Sequence, residues 1–278
     1  MARAARLALG LAVAAMAAAA PPPPAARAEQ GAPATLRLVP AGRTADGRPM
    51  AALLMDLADG WKTYWRAPGE AGVPPRIDWS GSENLARAEA LWPRPDAFES
   101  FGMLTLGYKH AMTLPLALAP ERADHPMRLR MRIDYGVCSD ICMPGSAELS
   151  LELPAGGAPA PEAVAARLSA ALADGPQDAA RAGVAMARCA LEGAGGERRL
   201  TALLRLPAAM RAHAPAVVVE GPEGVWFDPP RVSPAAEGIE IAADAWLDDP
   251  ALWVARSAVR VTVLAGSGFF ELTGCPAS

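Results

Sequence analysis

The clearest periodicity in the chain lies between Met127 and Val137. Leu129, Met131, Ile133, Tyr135 and Val137 alternate there with Arg128, Arg130, Arg132 and Asp134. A period of two puts the apolar set on one face of a strand and the charged set on the other. Ala147 to Leu153 alternates in the same way, with Leu149, Leu151 and Leu153 inward and Glu148, Ser150 and Glu152 outward. Together the runs predict a hairpin whose connection is Cys138 to Ser146. Shorter strand-like runs precede it at Ala34 to Val39, Met50 to Leu57, Ile77 to Trp79 and Met112 to Ala119, punctuated by Gly, Pro and Asp. PAGGAPAP, from Pro154 to Pro161, reads as a linker. Val164, Leu168 and Leu172 then recur at helical spacing, with Pro161 at the first turn and Gly175 beyond the end. Strand-like runs resume at Val184 to Leu191, Arg198 to Leu206, Ala216 to Glu220, Gly238 to Ala242, Ala258 to Ala265 and Phe269 to Thr273, and Gly193 to Gly196 makes a loose turn between the first two. Many short strands at such spacing favour antiparallel sandwiches. The pattern predicts an all-β protein of two β domains joined by a short helix, without a strong internal repeat.

The length of 278 residues has room for two domains. At the amino terminus, Arg3 and Arg6 precede an uncharged apolar run from Leu7 to Ala20, and Ala26-Arg27-Ala28 is a small-x-small site. This is the pattern of a secretory signal peptide over 1–28, the run being short for a membrane span; an uncleaved anchor is the alternative. The expected divisions are then 29–155 for the first domain, 156–180 for a linker with the helix, and 181–278 for the second domain. Loss of Arg3, Arg6 and Arg27 would take the formal charge from −4 to −7. An acidic chain does not offer the basic face that nucleic acid needs.

Export to an oxidising compartment gives the four cysteines meaning. Cys138 and Cys142 sit in DYGVCSDICMPG, where Gly136 and Pro144-Gly145 help the chain turn. Residues four apart can reach disulfide distance across such a turn. Spacing alone leaves three readings open: a structural staple, a soft-metal clip for Cu(I) with Met143 and with Met103 or Met112 as further candidates, or a redox pair. Cys189 and Cys275 bracket the second domain. A bridge between them would close a loop of roughly 87 residues, worth roughly 4–5 kcal/mol in the chain-entropy view. It is read as a structural disulfide, with free thiols or a second redox pair as alternatives. Trp61, Tyr64 and Trp65 read as core packing or as a docking surface, and Arg66 and Glu70 as a pair on one loop or as solvated charges. His110, His125 and His213 lack ligand spacing, and there is no catalytic Ser-His-Asp arrangement or phosphate loop, so neither metal nor cofactor is expected.

Three stretches, DGWKTYWRAPGEAGVPPRIDW (59–79), FGMLTLGYKHAMTLPL (101–116) and DYGVCSDICMPG (134–145), occur in an order that resembles the amino-terminal periplasmic domain of the DsbD and ScsB thiol:disulfide interchange proteins. The resemblance covers about residues 30 to 155. It implies an immunoglobulin-like sandwich carrying a redox cysteine pair on a hairpin. It implies that Cys138 and Cys142 relay electrons from a membrane-embedded thiol reductase to periplasmic thioredoxin-like proteins, with Cys142 forming the mixed disulfide and Cys138 resolving it. By the same resemblance, Asp96 to Gly102 matches a short aromatic cap loop that shields the pair. Phe101, or else Phe98, is the cap, and Asp96 and Glu99 match acids that hold the cysteine pKa up. The cysteines stand closer together here than in the best-known members. Those members continue into a transmembrane bundle and a thioredoxin domain, so the expectation is a stand-alone monomeric relay or a membrane part on a separate polypeptide. Cytochrome c maturation, copper tolerance and disulfide correction are the pathways such a relay would serve. A copper-handling module and an inert structural sandwich remain the alternatives.

Overall fold

The computed structural model describes residues 33–100, 102–193, 197–212 and 214–276. The first domain holds strands β1 (Ala34–Arg43), β2 (Pro49–Leu57), β3 (Lys62–Gly69), β4 (Arg76–Asp78), β5 (Leu85–Ala90), β6 (Asp96–Ser100), β7 (Met103–Lys109), β8 (Ala111–Pro120), β9 (Met127–Cys138) and β10 (Cys142–Leu153). They form an antiparallel sandwich of the immunoglobulin-like kind. One sheet runs β1-β2-β8-β5; the other runs β10-β9-β3-β7-β6, with β4 also paired to β9. The alternation that predicted β9 is realised: Leu129, Met131, Ile133 and Val137 enter the core while Arg128, Arg130, Arg132 and Asp134 face water.

Strand β2 does not alternate, because both of its faces are covered. Ala51, Leu53 and Met55 point into the sandwich, and Met50, Ala52 and Leu54 meet the helix α1 (Glu162–Ala173) on the outside. The predicted helix is therefore no free linker but a lid on the four-stranded sheet. Val164 and Leu168 supply its buried face. Leu172, expected to continue that stripe, is 40% exposed, and Ala171 is buried instead. The helix rotates about 100° per residue, so a strict i, i+4, i+8 stripe drifts off the contact line.

The second domain comprises β11 (Ala185–Glu192), β12 (Glu197–Arg205), α2 (Ala208–Arg211), β13 (Ala216–Glu220), β14 (Val225–Phe227), β15 (Arg231–Ala235), β16 (Gly238–Leu247), β17 (Arg260–Ala265) and β18 (Gly268–Thr273). One sheet runs β11-β12-β16-β14, with β15 also on β16, and the other runs β13-β17-β18. Cys189 and Cys275 are bonded, Cα–Cα 5.2 Å, and both are buried in this core.

The three-stranded sheet is buried on both sides. Val217, Val219, Val261, Val263 and Phe270 face the second core, while Ala216, Val218, Leu264 and Phe269 pack on the first. Phe269 meets Trp65 edge-on, with centroids 6.2 Å apart. Arg66, next to Trp65, reaches across to Glu220 at 2.9 Å and to Glu271. Glu70 accepts the Leu104 backbone N–H at 2.7 Å. Arg66 and Glu70 are thus neither paired with each other nor simply solvated. Two further ties close the junction: Gln177 N–H to Phe269 O, 2.8 Å, and Arg94 Nη2 to Gly266 O, 2.6 Å. Among the described residues no helix is long and apolar enough to cross a membrane. The expected signal peptide, Arg3 and Ala28 included, lies outside the described residues, as do His213 and most of the Gly193–Gly196 turn.

Candidate redox site

The expected connection of Cys138 to Ser146 is far shorter. β9 and β10 stay paired to Cys138 and Cys142, which stand directly opposite each other, so only Ser139 to Ile141 turn. Ser139 N–H donates to Ile141 O at 3.0 Å to close that turn. Opposed residues on an antiparallel pair have the separation a disulfide needs, and Cys138 and Cys142 are bonded, Cα–Cα 4.1 Å. The two cysteines differ in access. Cys138 has 0% exposure, whereas Cys142 is exposed, as are Ile141 and Met143 beside it.

Val137 enters the core, so Cys138 belongs to the outer face of the six-stranded sheet. The register continues across that face. Cys142 opposes Cys138, Cys138 opposes Lys62, and Lys62 opposes Lys109. One row thus runs disulfide, lysine, lysine over β10, β9, β3 and β7. Two residues along β3 on the same face is Tyr64, only 4% exposed, whose hydroxyl donates to Cys142 Sγ at 3.5 Å. Burial pushes the Tyr64 phenol up from its ordinary value. Glycines make its seat: a Cβ on Gly136 would lie 2.9 Å from the Tyr64 ring, and one on Gly72 would lie 2.6 Å from it.

The cap segment expected at 96–102 is a strand, β6, over most of its length. Phe98 opposes Thr105 on the outer face and is half-buried. Its ring lies under both lysines, 4.9 Å from Lys62 Nζ and 5.3 Å from Lys109 Nζ. Asp96 shares that outer face, opposite Gly107, whereas Glu99 opposes Leu104 at the next register position. Both acids are exposed. Phe101, the preferred cap residue, lies outside the described residues. Sequence reasoning passed over Lys62, Lys109 and Tyr64 as neighbours of the pair, because register across three strands is not written in any one of them. Of the candidate soft ligands, Met112 is buried in the core, and Met103 and Met143 are exposed. Among the described residues no group of three or more His, Cys, Asp and Glu is placed to hold a metal.

Residues 35–154 match the family model described as thiol:disulfide interchange protein DsbD, N-terminal. The first domain matches the DsbD amino-terminal family along its whole length. Its boundaries are those of the sandwich that carries Cys138 and Cys142. Among solved structures, the N-terminal periplasmic domain of ScsB from Proteus mirabilis matches with a TM-score of 0.63 at 23% identity, covering 91% of this chain and 96% of that one. This likeness in fold runs through both domains. The reduced N-terminal domain of DsbD from Neisseria meningitidis matches 45% of this chain and 90% of its own, at 19% identity and a TM-score of 0.26. Comparison with curated proteins finds no match.

Proposed function

We propose that the protein is a periplasmic thiol-disulfide exchange relay whose Cys138–Cys142 pair accepts electrons from a membrane-embedded thiol reductase and passes them to thioredoxin-like proteins. The observation that carries this reading is the asymmetry of the disulfide, with one cysteine open at a hairpin tip and the other closed off. Exchange needs an in-line approach to one sulfur and a second thiol held back to resolve the intermediate. Cys142 is the sulfur a partner reaches, and Cys138 is the leaving and resolving sulfur. A staple has no use for that asymmetry, and so short a loop restrains little chain entropy. The family match of the first domain supports the same reading. The periplasmic setting rests on the amino-terminal signal pattern and on the described origin of the ScsB relative.

A partner thiolate attacks Cys142 Sγ, the Cys142–Cys138 bond breaks, and Cys138 leaves as a thiolate. The partner's second thiolate then attacks its own bridged sulfur, releasing Cys142 and completing a two-electron reduction. Cys138→Ser should accumulate a mixed disulfide through Cys142 with an exported or membrane partner, seen as a reductant-sensitive band, and Cys142→Ser should not. Absence of any adduct in Cys138→Ser would sink the assignment. A second reading, Cu(I) handling, is favoured by exposed Met143 next to Cys142. Titration of the reduced protein with Cu(I) decides it, tight one-to-one binding being the outcome that keeps it.

A further inference from the structure

The chain has 26 Lys and Arg residues, and only Lys62 and Lys109 are lysines. Both fall in the disulfide's own row, opposite each other on β3 and β7, with Lys62 directly opposite Cys138. Both ammonium groups are gathered over the Phe98 ring, and neither is in an ion pair among the described residues. Elsewhere among the described residues the basic side chains are arginines, about half of them held by carboxylates, as Arg66, Arg128, Arg167 and Arg199 are. In the oxidised state the Lys62 ammonium rests over Phe98 on β6, on the side of β3 away from β9, so reaching Cys138 takes a turn of its flexible four-carbon stem. Cys138 has no exposure to water, yet it must carry a negative charge each time the disulfide opens, and burial disfavours a thiolate.

We propose that Lys62, backed by Lys109, is the cationic seat of the Cys138 thiolate, stabilising the leaving sulfur when a partner opens the disulfide. The inference rests on the exchange reading above. In the step concerned, the partner's thiolate forms a bond to Cys142 Sγ. The electron pair of the Cys142–Cys138 bond goes to Cys138, and no proton is transferred in this step. A leaving thiol of lower pKa leaves faster. A lysine suits the task because its charge is compact and its donors rotate toward a single sulfur, whereas an arginine fork matches a carboxylate. Other charged or titratable groups on this face and in the turn include Tyr64 on β3, Asp96 on β6, Arg132 and Asp134 on β9, Glu148 on β10 and Asp140, with Arg130 and Arg128 further along β9. Asp134 is paired with Arg132, and Tyr64 is directed at Cys142 rather than Cys138.

The test uses the exported chain and dithiothreitol, so no partner need be known. Lys62→Met should slow reduction of the pair at neutral pH by about five- to tenfold, and Lys62→Arg should recover most of the rate. In Cys142→Ser protein, where Cys138 titrates alone, thiolate absorbance should show its midpoint rising by about one pH unit when Lys62→Met is added. The thermal midpoint should stay unchanged, which separates the effect from unfolding. Lys109→Met, at an exposed position, should shift both readouts the same way by less, and it stands in if Lys62→Met does not fold. An unshifted midpoint and an unchanged rate overturn the inference. A wild-type pair that dithiothreitol leaves oxidised would sink the exchange reading instead, and the Cys138 titration would still decide the role of Lys62.

Discussion

Three glycines of the redox sheet, Gly107 and Gly136 on its outer face and Gly145 on the face of Tyr135, are as specific as the cysteines. Gly107 approaches the neighbouring strand so closely that a Cβ would lie 2.1 Å from the Thr63 carbonyl oxygen, a backbone atom that cannot step aside. At Gly136 the obstacle is the Tyr64 ring at 2.9 Å, and at Gly145 it is the Tyr135 ring at 2.6 Å. Tyr135 is only half-buried and can swing outward. The expected order of damage in urea unfolding is Gly107→Ala well beyond about 3 kcal/mol, Gly136→Ala about 1–3 kcal/mol, and Gly145→Ala less. Gly136→Ala should also displace Tyr64 and so change exchange at Cys142, which dithiothreitol kinetics would read. Tyr108 offers a pH signature. Its hydroxyl donates to Pro93 O at 2.9 Å, and burial, the largest influence, holds its pKa well above the ordinary 10.0. A pKa raised on folding gives stability that is complete below pH 10 and is lost as pH rises beyond it, because the unfolded chain ionises first. Tyr108→Phe should therefore show a flatter decline of stability above pH 10 than wild type, although it starts lower by roughly 1 kcal/mol for the lost hydrogen bond.

At the scale of elements, α1 and the β9–β10 hairpin show where pattern reading succeeds and where it stops. The hairpin was legible because its alternation is unbroken and one face meets water. Its turn was read too long because Pro144 and Gly145 look like turn residues, whereas both are paired in β10, opposite Gly136 and Tyr135. Proline is tolerated there because β10 is an edge strand. The helix was legible from its caps and spacing, but its partner was not. Leu168→Ala should cost about 2–3 kcal/mol, because it empties the contact with Met50, Ala52 and Leu54, while Leu172→Ala should lie within about 0.5 kcal/mol of wild type. Equal effects at both positions would mean that α1 packs in a different rotation. β6 was read as a loop by resemblance. Its short run Asp96–Ser100 has little apolar alternation, and pairing with β7 creates the strand.

At the scale of the whole molecule, the two domains share one sheet's two faces. Phe269 and Trp65 close the first core from opposite domains, and Arg66 is held between two glutamates at the rim. Unfolding should accordingly be a single transition, and Phe269→Ala should separate it into two while costing about 3–5 kcal/mol. Urea titration followed by tryptophan fluorescence and by circular dichroism would show coincident curves for wild type and displaced curves for the variant. Cys189→Ser with Cys275→Ser should lower the stability of the second domain by about 2–5 kcal/mol, and should leave the potential of the Cys138–Cys142 pair where it was. A coupled change in that potential would bring the second disulfide into the redox chemistry.

The β class, the hairpin, the helix, the closeness of Cys138 to Cys142 and the resemblance of the first domain were all legible in the sequence. Each of these is local: a period of two, a cap, a spacing, or a motif within some twenty residues. The tertiary structure alone decided which cysteine faces solvent, that Lys62 and Lys109 flank the disulfide, and that Arg66 reaches the second domain rather than Glu70. Those facts depend on register between strands distant in sequence and on a sheet buried on both faces. No single strand's pattern encodes its neighbour's register, because the free energy that fixes it belongs to the packed pair and not to either segment.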